Sequence, residues 1–166
     1  MKPKVVPYVV ALDNLGRVVA SGMADQGAPT DDKLKRATLF RWVSDLRTVT
    51  TDGVSQRKAI DRVYAMIASG SPAQVEVGEF YRNDPPTQRA QSKTADVEVK
   101  AVFATSDQTY QVEWTETLRN LSGEVQAEER WKGSFTIAVN PPNDERLIRV
   151  NPLGIYVTNV SWSKVL

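Results

Sequence analysis

A change of hydrophobic period near the middle of the chain constrains its fold more than any other feature. From Leu39 to Asn83-Asp84-Pro85-Pro86 the apolar residues recur every three or four positions; beyond it they alternate. Leu39, Trp42, Val43 and Leu46 fall at i, i+3, i+4 and i+7, and Ile60, Val63, Tyr64 and Ile67 repeat that spacing. Each set lines one face of a helix. Thr30 or Asp31 can cap the first helix, which breaks at Thr48 to Gly53; the second runs to Gly70, a natural C-terminal cap. Ser71-Pro72-Ala73-Gln74 starts a third, with Ser71 as N-cap, Pro72 in the first turn and Gln74 closing a capping box.

Past the Pro-Pro pair, Val97, Val99, Ala101 and Phe103 alternate with Asp96, Glu98 and Lys100, and Tyr110, Val112, Trp114 and Leu118 alternate in the next segment. Val125, Ala127, Trp131, Phe135, Ile137 and Val139 share one face of a long third strand, and a fourth follows Pro141-Pro142-Asn143-Asp144. Val5 to Met23 reads as a hairpin turning at Asp13-Asn14-Leu15-Gly16, with Pro7 placing its first strand at an edge, and Gln26-Gly27-Ala28-Pro29 reads as a loop. The expectation is one α+β domain over residues 1–166: a β arm over 1–25, a helical part over 30–83 and an antiparallel meander over 94–163. Strands this long twist and curl, so the simplest architecture is a cone of the nuclear-transport-factor-two or cystatin type, with about three helices on a curved sheet.

Composition removes several chemistries. The 166 residues include no histidine and no cysteine. That excludes disulfides, thiolate nucleophiles, Ser-His triads and most zinc sites. It leaves cytosol and bacterial periplasm equally open. Net charge is +1, and the eight Lys/Arg between Asp31 and Ile67 are interleaved with five Asp, the pattern of a solvated helical face rather than a nucleic-acid track. The longest apolar run, Val5 to Leu12, has eight residues and a proline, against about 20 for a membrane span. No signal peptide is visible after Met1.

Glu116 and Glu129 are the oddity of the sheet: both share parity with the apolar residues Trp114 and Trp131. A two-residue turn at Ser122-Gly123 would set Glu116 opposite Glu129. A four-residue turn at Asn120 to Gly123 would separate them, whereas a three-residue turn would put polar against apolar. Like charges directly opposite are unfavourable, which favours the longer turn. A carboxylate pair in a cone could act as acid and base, giving an enzymatic or small-ligand-binding alternative; the simpler reading is that each glutamate meets a cation or the sheet rim. The four tryptophans, Trp42, Trp114, Trp131 and Trp162, read as core or half-buried platforms.

Near the C-terminus, Asn151-Pro152-Leu153-Gly154 makes a rigid corner into the last strand, starting at Ile155. Pro152 fixes its own φ and biases Asn151 away from helix, while Gly154 can take the positive φ of a type II or related turn. Leu153, Ile155 and Tyr156 could offer a partner an apolar anchor on this corner.

With the elements in this order, the chain resembles the TrbF-type conjugal transfer proteins, inner-membrane assembly factors of the VirB/Trb class of type IV secretion systems. The residues carrying the resemblance are Arg41-Trp42-Val43-Ser44-Asp45-Leu46-Arg47-Thr48-Val49-Thr50 with Asp52, then Asn83-Asp84-Pro85-Pro86, Val112-Glu113-Trp114-Thr115-Glu116 and Trp131-Lys132-Gly133. The most specific is Asn151-Pro152-Leu153-Gly154-Ile155-Tyr156-Val157-Thr158, followed by Ser161-Trp162-Ser163. The resemblance implies a nuclear-transport-factor-two-like periplasmic domain with no catalysis and no cofactor. It implies a scaffold that self-associates as a dimer or larger oligomer and contacts other channel subunits without binding nucleic acid directly. It also implies that Asn151, Pro152, Leu153 and Gly154 serve structure and partner contacts. Family members carry a short tail and one membrane helix ahead of this domain. Neither is present here, so the expectation is the soluble domain alone, at the periplasmic face of the inner membrane.

Overall fold

The computed structural model describes the backbone of residues 8–12, 18–23 and 28–166, and side chains from residue 31 onward. It divides into two compact units, residues 1–38 and 39–166. In the first, β1 (Tyr8–Leu12) pairs antiparallel with β2 (Val18–Met23) as a two-stranded sheet. The expected turn between them and the edge proline lie outside the described residues. Helix α1 (Ala28–Arg47) takes up Ala28 and Pro29, read above as loop; proline is tolerated in a first helical turn, where its missing N–H has no partner to lose.

In the second unit, α1 ends, α2 (Gly53–Ala65), α3 (Pro72–Asn83) and a single turn α4 (Pro86–Arg89) follow. Then β3 (Lys93–Ala104), β4 (Thr109–Asn120), β5 (Val125–Val139) and β6 (Ile155–Val165) form one open, curved sheet in simple meander order, with the short α5 (Glu145–Val150) between the last two. Leu39, Trp42, Val43 and Leu46 of α1, Val63 of α2 and Ala73 and Val77 of α3 bury against Val99, Tyr110, Val112, Trp114, Phe135, Ile137 and Val160 of the sheet. Trp42 anchors this core: its indole N–H donates to the Val63 carbonyl at 3.1 Å, and its ring meets Phe135 edge-on at 5.8 Å. Arg62 of α2 forks onto Asp45 of α1 through two 2.9 Å bonds, and Gln56, fully buried, satisfies the loop between these helices by accepting from Thr50 N–H and donating to the Thr48 carbonyl.

Three local departures from the sequence reading have physical causes. First, α2 stops at Ala65, not Gly70. The backbone of Met66 to Ala68 leaves the helix to pair with β6: Val157 N–H donates to Met66 O at 2.7 Å and Ala68 N–H to Val157 O at 3.0 Å. Second, β3 carries a bulge at Lys100, since Val99 faces Trp114 while Ala101 faces Glu113. Strict alternation therefore fails there, and Phe103 is exposed rather than in the core. Third, α5 was not foreseen because none of its side chains is buried, so it has no apolar period to read; Asp144 caps it by accepting from Arg146 N–H. The capping box at α3 forms in altered geometry: the Ser71 hydroxyl accepts from Gln74 N–H at 3.3 Å, but the Gln74 side-chain Oε1 accepts from Gly70 N–H at 2.7 Å.

Candidate functional site

The sheet brings Glu116 and Glu129 directly opposite each other, in the register with Trp114 against Trp131. The longer turn favoured by charge repulsion is not formed. Instead Leu121 to Gly123 make a three-residue loop, closed by Asn120 N–H on Glu124 O and by Gly123 N–H on Asn120 O. Gly123 has φ +89°. A bulge at Gln126, where Leu118 faces Ala127 but Arg119 faces Val125, corrects the parity that a three-residue turn would have spoiled.

The two carboxylates tolerate each other because each has its own cation. Glu116, 1% exposed, accepts from Arg47 Nε at 2.6 Å, Arg47 Nη2 at 3.2 Å and Trp114 Nε1 at 2.7 Å. Arg47, the last residue of α1, is itself 4% exposed. Its guanidinium carbon lies 4.2 Å from the Trp131 ring centroid, 4.9 Å from Phe80, 5.9 Å from Trp114 and 6.0 Å from Trp162. Three of the four tryptophans thus enclose one buried arginine, an arrangement in which ring quadrupoles replace part of the lost hydration. Glu129, at the sheet rim, accepts from Lys164 Nζ of β6 at 2.9 Å. That hydrogen bond holds its carboxyl below the usual carboxylate range, with a smaller push from the charge of Arg47.

A carboxyl whose folded pKa is lowered contributes stability above its unfolded pKa and loses it as pH falls through the folded value. Glu129→Gln should therefore remove part of the stability gained above about pH 4.5, by less than about 1 kcal/mol for so exposed a pair, and should flatten the acid limb of a urea-midpoint profile. An unchanged acid limb would show that Lys164 contributes nothing there.

The corner residues take distinct places. Asn151 is 3% exposed: its side-chain amide donates to Ile155 O at 3.0 Å and to Ala65 O at 3.5 Å, and its N–H caps α5 at Leu147 O. Gly154 N–H returns to Asn151 O at 3.1 Å, closing the turn. Gly154 has φ +63°, and no non-glycine residue among those described has positive φ, so the turn is not type II; its glycine sits in the fourth position. A β-carbon on Gly154 would run into the Asn140 carbonyl and come within 2.7 Å of Pro141 Cα. Ile155 is buried in the core, Pro152 is exposed, and Leu153 and Tyr156 are half-buried. Of the anticipated apolar anchor of Leu153, Ile155 and Tyr156, only Leu153 and Tyr156 reach the surface, beside the exposed Pro152.

The VirB8 protein family matches residues 1–165. This chain belongs to the VirB8 family. It is 39% identical over 163 residues to the conjugal transfer protein TrbF of Rhizobium radiobacter, covering 98% of this chain and 74% of that protein. In fold it is similar to the VirB8 protein of Agrobacterium tumefaciens (TM-score 0.70, 18% identity, covering 82% of this chain and 94% of that one). It is similar too to the soluble domain of the type IV secretion protein TrwG from Bartonella grahamii (TM-score 0.70, 15% identity, 81% and 94%). The expected nuclear-transport-factor-two-like α+β fold is therefore the VirB8 fold, and the chain is a type IV secretion component of the conjugal transfer kind. Members of this family are structural parts of secretion systems. No helix among the described residues is long and apolar enough to cross a membrane, and no group of three or more Asp or Glu among them is placed to hold a metal ion.

Proposed function

We propose that this VirB8-family domain is a non-enzymatic assembly module at the periplasmic face of the inner membrane, associating with copies of itself and with other subunits of a conjugative channel. The observation that carries the proposal is the end-to-end match to the family together with the 39% identical conjugal transfer protein. The geometry supports it. The carboxylate that would serve an enzymatic cone, Glu116, is locked by three donors, buried and packed among aromatic rings, so a substrate has no approach to it. Along the helices, Lys35 pairs with Asp31, Arg36 with Asp32, and Arg41 and Arg62 share Asp45, which lowers the positive charge this set could offer a phosphate backbone.

The corner at Asn151 to Tyr156 is the contact surface in this reading. Pro and Gly fix its backbone in advance, so a partner orders few residues on binding. In a donor cell lacking its own copy, the intact protein carrying Pro152→Ala with Leu153→Ser, and Gly154 retained, should lower transfer frequency by at least about tenfold while the thermal midpoint moves only a few degrees. Wild-type transfer by the folded variant would exclude the corner as a contact; loss of transfer only alongside collapse of the midpoint would make its role structural.

A further inference from the structure

Between α3 and β6 lies a groove of about 430 Å³ that is separate from the corner and shares the Phe80 and Trp162 rings with the Arg47 cage. Glu76, Glu79, Phe80 and Asn83 line its helical wall at i, i+3, i+4 and i+7, with Asp84 at the end; Val160, Ser161 and Trp162 of β6 form the other wall. Its floor is aromatic: Phe80 meets Trp162 edge-on at 5.5 Å, and both rings are held from beneath by Arg47. Its rim is acidic and contains no lysine or arginine. Asp84 is 3.5 Å from Arg89, but Glu76 and Glu79, both exposed, have no ion-pair partner among the described residues. β6 is also the last strand of the sheet. The Met66 to Ala68 segment covers its edge at Val157, and among the described residues nothing pairs with that edge from residue 158 onward.

We infer that this groove docks a basic, extended peptide segment of another protein. The three features fit one occupant. An open strand edge offers main-chain hydrogen bonds to an extended chain. The carboxylates complement lysine or arginine heads, and Phe80 and Trp162 give their aliphatic stems an apolar, cation-attracting surface. A nucleic acid is disfavoured by the same carboxylates. The inference adds a second surface to the partner contacts proposed above, but its test needs no transfer assay, so the two readings fail separately.

The test uses the whole chain and a fluorescein-labelled peptide alternating lysine and valine, with its glutamate–valine counterpart and a labelled single-stranded DNA as controls. Anisotropy should show saturable binding of the lysine peptide alone, weakened by salt. Glu76→Lys with Glu79→Lys, at two exposed positions on α3, should reduce affinity by at least about tenfold with unchanged circular dichroism and thermal midpoint. Glu124→Lys with Glu128→Lys, the same charge change away from the groove, should leave it intact. Backbone amide protection on peptide binding should rise at residues 158–165. No binding of the lysine peptide, equal losses in both double variants, or tighter binding of the DNA would each overturn the inference.

Discussion

Glu116→Gln is expected to destabilise residues 39–166 by about 3–5 kcal/mol, a large fraction of the roughly 5–15 kcal/mol that holds a domain folded. The substitution keeps shape and size but leaves the Arg47 charge enclosed by four rings without its counter-ion. Replacing both members with apolar residues, Arg47→Met and Glu116→Leu, should cost far less than the single change, because desolvation of two ions is then avoided. Urea unfolding of Arg47→Met, Glu116→Leu and the double variant forms a cycle whose coupling measures the pair. Single-variant losses below about 1 kcal/mol would mean that the pair is solvated in practice and does not tie α1 to the sheet.

Gly154→Ala should be nearly as damaging through a different mechanism. The left-handed backbone at φ +63° costs a side-chain-bearing residue about 1–2 kcal/mol. The added methyl also meets backbone at Asn140 and Pro141, which cannot rotate away as a side chain could, adding about 1–3 kcal/mol. Gly154→Val is therefore not a clean probe of partner binding: it disturbs the fold first. A fall of more than about 10 °C in thermal midpoint is expected for Gly154→Ala, against a few degrees for Pro152→Ala. Equal, small shifts for both would show that Asn140 moves aside at little cost.

How far the sequence disclosed this arrangement depends on which residues carry it. The helices and strands were legible where one face is buried, because burial writes its period into the apolar residues. α5, with no buried side chain, and α4, a single turn, wrote nothing. The Arg47–Glu116 pair was half legible. Glu116 stands out as a charge on the apolar parity of β4, but Arg47 lies within a mixed Lys/Arg and Asp stretch that has the pattern of a solvated face. Yet Leu39, Val43 and Arg47 fall at i, i+4 and i+8, which puts Arg47 on the buried stripe of α1. Two opposite charges, each misplaced on an apolar face, were the signal that could have joined them. The turn at Asn120 to Glu124 shows the reverse: the sequence displays the repulsion between Glu116 and Glu129 but not what offsets it. The cations that offset it come from residues 69 and 35 positions away, which no local rule sees. The corner's backbone was legible from Pro and Gly. The buried amide of Asn151 was not, since its partners at Ala65 and Ile155 appear only when the chain is folded.

The stitching of Met66 to Ala68 onto Val157, beside the Asn151 amide on the end of α2, has a mechanical consequence. The corner is not a loose handle. A load applied at Pro152 passes into α2 and the first residues of β6 together, and from α2 through the Arg62–Asp45 fork into α1. Peeling the corner away would mean breaking those seams at the same time rather than one after another. Tension at this corner therefore meets the joint resistance of α1, α2 and the last strand.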